Sequence, residues 1–269
     1  MSTRPISDML GRSLTVPIQP ARIVSLCPSQ TETLFDLGLG ARVVGSTRYC
    51  IHPAPAVTAT VRVGGTKKVD LELVRGLRPD LIIAEKEENP REMVDALSEI
   101  SPVYVTDVVD QGSAFEMIRK VGSLTGTSEC ATRLVSQIET DWNEMPQFSR
   151  KLRTGYLIWR KPWMAAGATT YIDDLLRTVG LDNVFSSGKP SGKRYPDFSI
   201  EELIERQPEL VLLSSEPYPF QARHVEELQA ALPGAQILLT DGEPWSWYGS
   251  RMRLFPKLIR DLHAQIKTS

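Results

Sequence analysis

Ser128-Glu129-Cys130-Ala131-Thr132-Arg133-Leu134-Val135-Ser136-Gln137-Ile138-Glu139-Thr140-Asp141-Trp142-Asn143-Glu144-Met145 reads as one amphipathic helix, and the chain on either side of it falls into two halves. Its apolar residues are Ala131, Leu134, Val135, Ile138, Trp142 and Met145, the i, i+3, i+4, i+7 spacing of a single helix face. Arg133, Gln137, Glu139 and Asp141 point elsewhere. Gly126-Thr127 separates this helix from a shorter one that begins near Ser113, and Pro146 ends it. At about 1.5 Å per residue the rod is about 27 Å long, enough to cross a small domain.

The halves resemble each other. The first contains Asp70-Leu71-Glu72-Leu73-Val74 and then Arg78-Pro79-Asp80-Leu81-Ile82-Ile83. The second contains Ser199-Ile200-Glu201-Glu202-Leu203 and then Gln207-Pro208-Glu209-Leu210-Val211-Leu212. In each, a capping residue opens a short helix, proline stops it, and an apolar strand follows. Upstream, Leu37-Gly38-Leu39 pairs with Val179-Gly180-Leu181. The expected organisation is an N-terminal α/β lobe over residues 1–111, a helical crossover over 112–150 and a C-terminal α/β lobe over 151–269. Facing lobes create a cleft, and clefts between domains favour ligands.

The 269 residues suffice for one large core or two modest ones. With 41% hydrophobic and 24% charged residues the usage is globular, which excludes disorder. A formal net charge of -2 offers nothing to nucleic acid or an anionic membrane. No apolar run is long enough for a transmembrane helix. Residues 1–20 lack a signal-peptide core, so the chain as written is expected in the cytoplasm, or in the periplasm if a leader has been removed. Cys27, Cys50 and Cys130 are odd in number and widely spaced, which argues against a disulfide framework.

Reading along the first half, Ile6 to Pro17 suggests a hairpin turned at Leu10-Gly11-Arg12 and packed at a sheet edge. Strands are expected over 21–26, 42–45, 80–84 and 102–106, with a capping box at Ser29 and Glu32 opening the first helix. In the second half, strands are expected over 154–159, 209–214 and 236–240. The closing helix over 250–266 must start late or bend at Pro256. Strands alternating with helices imply parallel sheets whose strand-end loops carry any site.

Trp159, Trp163, Trp245 and Trp247 lie in or beside those loops, where they offer flat apolar surface to a ligand or cover the sheet edge. Arg48, Lys86, Arg160, Lys161, Arg194 and Arg251 are also loop residues, either gathering around an anion or acting as solvated charges. Arg251, in an apolar loop, is the first choice among them. Cys50 and His52 point to one side of an extended chain, so both can reach one metal ion if a carboxylate such as Glu85, Glu216 or Glu243 completes the set. The alternative is a small buried cysteine and a histidine capping the turn before Pro53. There is no phosphate-cradling glycine loop and no nucleophile elbow.

Asp8-Met9-Leu10-Gly11-Arg12-Ser13-Leu14-Thr15-Val16-Pro17, followed by Arg22-Ile23-Val24-Ser25-Leu26-Cys27-Pro28-Ser29-Gln30-Thr31-Glu32, resembles the mature start of helical-backbone substrate-binding proteins of ABC importers. The likeness continues through Gly64-Gly65-Thr66, Leu71-Glu72 and Leu77-Arg78-Pro79-Asp80-Leu81-Ile82. It covers nearly the whole chain, weakens after Arg153, and is nearest to the vitamin B12 and iron-siderophore receptors. The resemblance implies two Rossmann-like α/β lobes joined by a long bridging α-helix, with a ligand cleft between the lobes. It implies a monomer without catalysis or a required cofactor. Such a protein binds a small molecule, cobalamin-like or a metal chelate, and delivers it to an ABC permease and ATPase.

Glu72 and Glu201 match the glutamates by which such proteins dock on the permease. Tyr49, Trp163 and Tyr195 match aromatic ligand contacts. Thr66 and Glu85 stand where B12 receptors carry tryptophans, which makes the first lobe more polar and suits a smaller or more charged ligand. Together these readings place Tyr49, His52 and Lys86 on one side of the ligand, and Trp163, Tyr195, Tyr218, Trp247 and Arg251 on the other. A second reading is a cytoplasmic metal-dependent enzyme or ligand sensor that has kept this fold, with Cys50 and His52 as its metal ligands.

Overall fold

The N-terminal hairpin forms from β1 (Thr3–Ser7) and β2 (Ser13–Pro17), antiparallel with Ser7 opposite Ser13. Its turn is built on the buried Asp8 carboxylate, which accepts from the Leu10 and Arg12 amides (3.0 and 2.9 Å) and from Arg12 Nε (2.7 Å). The computed structural model describes residues 2–186 and 193–266. Within it the chain forms two α/β units: residues 1–108, 112–139 and 247–252 make the first, and 109–111, 140–246 and 253–269 the second.

The first unit is a parallel sheet with the order β5-β4-β3-β6-β7. Its strands are β3 (Ile23–Ser25), β4 (Val43–Ser46), β5 (Val61–Arg62), β6 (Leu81–Glu85) and β7 (Val103–Thr106). Between them run α1 (Pro28–Asp36), α2 (Leu71–Gly76) and α3 (Arg91–Ser98). Val24, Ile82, Ala84, Val103 and Val105 meet Val74, Val94 and Leu97 from the helices in one buried cluster. The hairpin docks on edge strand β7, where the Met9 amide donates to Val105 O (3.2 Å) and Arg12 Nη2 to Val103 O (2.9 Å).

The crossover is α4 (Gln111–Thr125) and α5 (Ser128–Asn143), broken at Gly126 and Thr127 as the sequence requires. The α5 face read from the spacing is buried throughout: Ala131, Leu134, Val135, Ile138 and Trp142, with Met145 beyond it, are all under 9% exposed. α5 does not form a separate segment, however. Its residues through Glu139 belong to the first unit and those from Thr140 to the second, so the divisions expected at 111 and 150 shift. The cause is packing: α4 and α5 approach so closely that a Cβ on Gly122 would lie 2.3 Å from Ala131 Cβ. Gly122→Val should therefore overpack this contact and cost about 1–3 kcal/mol in urea unfolding, against well under 1 kcal/mol at an exposed helix site.

The second unit repeats the plan with β8 (Arg153–Trp159), β9 (Trp163–Ala165), β10 (Asp182–Asn183), β11 (Asp197–Phe198), β12 (Leu210–Ser214) and β13 (Gln236–Thr240). The order is β11-β9-β8-β12-β13, with β10 beside β8; β8, β12 and β13 are parallel, while β9 and β11 are antiparallel additions the sequence did not signal. The helices are α6 (Tyr171–Thr178), α7 (Ile200–Glu205), α8 (Ala222–Ala231), the single-turn α9 (Glu243–Ser246) and α10 (Phe255–Gln265). Pro256 lies in the first turn of α10, so the closing helix starts late.

The internal repeat holds to the level of single bonds. α2 and α7 are each six residues long, capped by Asp70 and Ser199 side chains. Arg78 and Gln207, just past the two helices, share φ +47°. Asp80 accepts from the Arg22 amide (2.9 Å) while the Arg22 guanidinium donates to Leu77 O. In the second unit Glu209 accepts from the Arg153 amide (3.0 Å) while the Arg153 guanidinium donates to Arg206 O and Gln207 O. In both copies an arginine at the strand start satisfies the last carbonyls of the helix, and a carboxylate holds the strand's first amide.

Candidate functional site

In the first unit β3, β4 and β5 build outward on one side and β6 and β7 on the other, so the order reverses between β3 and β6. The crevice beyond the C-terminal ends of strands at such a reversal is where open α/β sheets take ligands. Cys27 follows β3 and Glu85 ends β6. Both are buried, as are Thr106 at the end of β7 and Gln30 on α1. The Glu87 and Glu88 amides donate to Glu85 Oε2 (2.7 and 2.8 Å). Gln30 Nε2 donates to Thr106 Oγ1 (2.6 Å) and, at 3.4 Å, to Tyr248 Oη.

Burial pushes the Glu85 carboxyl up to about 7; its two amide bonds oppose this, and the neighbouring Glu87 and Glu88 charges add to it. Burial, then the charges of Glu85, Glu88 and Cys50, raises the Cys27 thiol, which disfavours the thiolate form. Burial and Glu85 likewise raise Tyr248.

Three loops frame this floor and are tied to one another. Asn89 donates to Thr66 O (2.8 Å) and accepts from the Glu85 amide (2.8 Å). Lys67 Nζ reaches Glu87 O (2.6 Å), and the Arg48 amide reaches Gly64 O (2.8 Å). Tyr49 stands exposed at 48% after β4, beneath the Arg48 guanidinium (5.0 Å) and against Gly65. Lys86, half-exposed, is bound to Asp107 (2.7 Å).

Cys50 and His52 go to different surroundings. The Cys50 sulfur is fully buried between the Thr31 and Thr47 hydroxyls (3.1 and 3.2 Å), whereas the His52 ring meets the edge of Trp247 (5.6 Å). Among the described residues no group of three or more His, Cys, Asp or Glu side chains could hold a metal ion, so the Cys50–His52 metal expectation finds no third ligand.

Trp247 and Arg251 were expected on the second lobe facing a ligand. Instead residues 247–252 pack in the first unit. Arg251, 7% exposed, forks onto Glu32 (Nε–Oε2 2.7 Å, Nη2–Oε1 2.9 Å) and lies 5.1 Å over the Trp247 ring. That overturns the capping box as well: Glu32 turns to Arg251, and α1 begins at Cys27 with Pro28 in its first turn and no side-chain cap. Gly249, at φ +81°, lets this strap lie directly on α1, since a Cβ there would be 2.1 Å from Thr33 Oγ1.

In the second unit the strand ends are aromatic. Trp163 stacks on Phe220 (5.9 Å, 6°) and Phe198 (6.5 Å), with Arg160 above it (5.1 Å) held by both Glu227 oxygens. Tyr218 meets Phe220 (4.8 Å) and Trp159 (5.6 Å), and its hydroxyl lies 3.4 Å from His224 Nε2. Trp163 and Tyr218 are only part-exposed because the core cluster holds them; Trp159, which ends β8, is the outward-facing ring at 39% exposure. Tyr195 is part-buried, 6.0 Å from Arg194. A cavity of about 320 Å³ elsewhere in this unit is lined by Asp110, Thr169, Asp174, Arg177 and Arg194, but Arg177 already pairs with Asp174 there. Glu72 and Glu201 are both exposed in the first turns of α2 and α7, with Glu72 paired to Arg75.

Residues 23–236 match the family model described as periplasmic binding protein. The chain belongs to that family. This binding protein is 24% identical over 248 residues to the vitamin B12-binding protein of Pectobacterium carotovorum, covering 89% of this chain and 87% of that one. To the vitamin B12-binding protein of Vibrio parahaemolyticus it is 26% identical, over 75% and 74% of the two chains. Its fold is that of the periplasmic vitamin B12 binding protein of Vibrio cholerae (TM-score 0.73, 20% identity, 93% of this chain and 100% of that one). The periplasmic catecholate-siderophore binding protein of the same organism is equally similar in fold (TM-score 0.77, 17% identity, 98% and 100%). These proteins are named for binding, not catalysis. No described helix of the present chain is long and apolar enough to cross a membrane.

Gln30 and Thr106 are the floor residues that motif reasoning did not select; it names Glu85 only as a third metal ligand and at a B12-receptor tryptophan position, and Trp159, in the second unit, only among the loop tryptophans. Each sits at or next to the last residue of an apolar strand, or one turn into the helix after it. That position was the available signal.

Proposed function

We propose that the protein captures a compact chelate of the corrinoid or ferric-siderophore class on its strand-end loops and delivers it to an ABC permease and its ATPase. The observation that carries this reading is the pair Tyr49 and Trp159. Each is an aromatic side chain left more than a third exposed at a strand end, in a chain whose other tryptophans are mostly packed away. An exposed indole costs hydration free energy unless a ligand covers it. Tyr218 meets the Trp159 ring (5.6 Å), and His52 and Lys86 lie on the first unit's strand-end loops; with Trp163 and Tyr195 on the second unit they would contact or orient the ligand. Trp247 and Arg251 act from behind, as supports for the first unit's floor. Glu72 and Glu201 would be the docking carboxylates, because the repeat places them identically on α2 and α7 and leaves both in solvent.

The test is titration with cobalamin, haem and ferric siderophores, read by tryptophan fluorescence and calorimetry. One of them should bind saturably in wild type and at least tenfold more weakly in Trp159→Ala with Tyr49→Ala, a loss of about 1.4 kcal/mol or more. Absence of saturable binding by every member of the panel would sink the proposal.

A further inference from the structure

The Glu85 carboxyl ends β6, an interior strand of the first sheet, and makes no ion pair among the described residues. Its Oε2 takes two backbone amides, while Oε1 receives no hydrogen bond among the described residues. Lys86 and Lys67, on the adjoining loops, are engaged elsewhere, Lys86 with Asp107 and Lys67 with Glu87 O and Glu88. The titratable groups that act on Glu85 or feel its charge are Cys27, Glu87, Glu88 and Tyr248, and none is positive. One strand over, Thr106 is the register partner of Glu85. Its hydroxyl accepts from Gln30, whose own Oε1 is buried and accepts nothing among the described residues. Gln30 Oε1 is therefore a buried acceptor without a donor, costing about 1–3 kcal/mol while unmet, and through Thr106 it adjoins a carboxyl that has no counter-ion when ionised.

We propose that this floor receives a cationic hydrogen-bond donor of the ligand, an ammonium or amidinium group, seated between Glu85 and Gln30. The proposal rests on these strand ends being the ligand face. An ammonium brings three donors and one charge to a place that has acceptors and lacks a counter-ion. A bare anion would meet only further acceptors, and an apolar face would leave the Gln30 oxygen unpaired. The equivalent position of the repeat shows the contrast: Ser214 ends β12, where its hydroxyl is already bonded to Glu216 O and Tyr156 Oη.

The test is carboxyl 13C NMR of the full chain with methylammonium and guanidinium as probes and sodium chloride at matched ionic strength. Saturating methylammonium should lower the midpoint of the Glu85 titration by about one unit or more, a tenfold preference of the ionised form for the cation. Glu85→Gln should abolish the saturable shifts that methylammonium causes at the Gln30 side-chain amide. Gln30→Leu should weaken them several-fold, with circular dichroism confirming that both variants fold. An unmoved Glu85 midpoint, or an equal shift with sodium, would mean that water alone fills the floor. Saturation by zinc with none by methylammonium would make it a metal site; any of these results overturns the inference. Failure of every chelate to bind would sink the proposed function while leaving this NMR result unchanged, so the two fail separately.

Discussion

Arg251→Met should cost the protein about 3–5 kcal/mol in urea unfolding, because it leaves the Glu32 carboxylate buried without its partner. The fork between them is 7% and 14% exposed, so water cannot replace the lost bonds cheaply. The double variant Arg251→Met with Glu32→Met should recover most of the loss, since two apolar groups of similar size carry no desolvation cost. A single-variant loss below about 1 kcal/mol would show that the pair behaves as a surface bridge and that the strap is loosely held. Trp247 adds a check, because its fluorescence reports whether residues 247–252 stay in place when the guanidinium above its ring is removed.

Glu85→Gln should remove a pH dependence that wild type carries. The folded carboxyl titrates at about 7 against 4.5 in an unfolded chain, so between those values the folded state holds the proton and the unfolded state does not. More protons bound in the folded state means that stability falls as pH rises. The favourable contribution is fully present below about pH 4.5, declines across the window, and is gone above about pH 7. The span corresponds to about 3 kcal/mol at 1.36 kcal/mol per unit. Urea midpoints measured from pH 5 to 8 should therefore decline more steeply for wild type than for Glu85→Gln, with the variant the more stable at pH 8. Parallel curves would place the Glu85 carboxyl in contact with water.

Much of this was legible from local chemistry. Two copies of cap, short helix, proline and apolar strand predicted α2–β6 and α7–β12, and the structure returns them with matched lengths and matched arginine clamps. Each step of that pattern is decided within about ten residues, by a cap, a missing proline amide or a run of apolar side chains. The buried face of α5 was equally readable, because helical periodicity depends only on spacing. β9, β10 and β11 were not readable. Two of them are two residues long, too short for any pattern, and all three exist because β8 supplies a partner edge or, through β9, extends one.

The site divided along the same line. Tyr49, His52 and Lys86 were placed at the ends of first-unit strands because each loop follows an apolar run directly. Arg251 was misread because its loop composition suggested desolvation by a ligand, and nothing local says that Glu32, far earlier in the chain, does the desolvating and the pairing. Cys50 and His52 looked like one ligand pair because alternation in an extended chain puts them on the same side. The turn they occupy sends the thiol to Thr31 and the imidazole to Trp247.

Spacing, caps and proline breaks were enough for the amino-acid sequence to determine two related α/β halves and the helix that crosses between them, since those forces act between neighbours along the chain. Which half owns residues 247–252, and that Glu85 ends a buried strand with an acceptor still open, were decided only by tertiary structure. Both depend on which distant side chain arrives to fill a space, and burial, unlike periodicity, belongs to the assembled molecule.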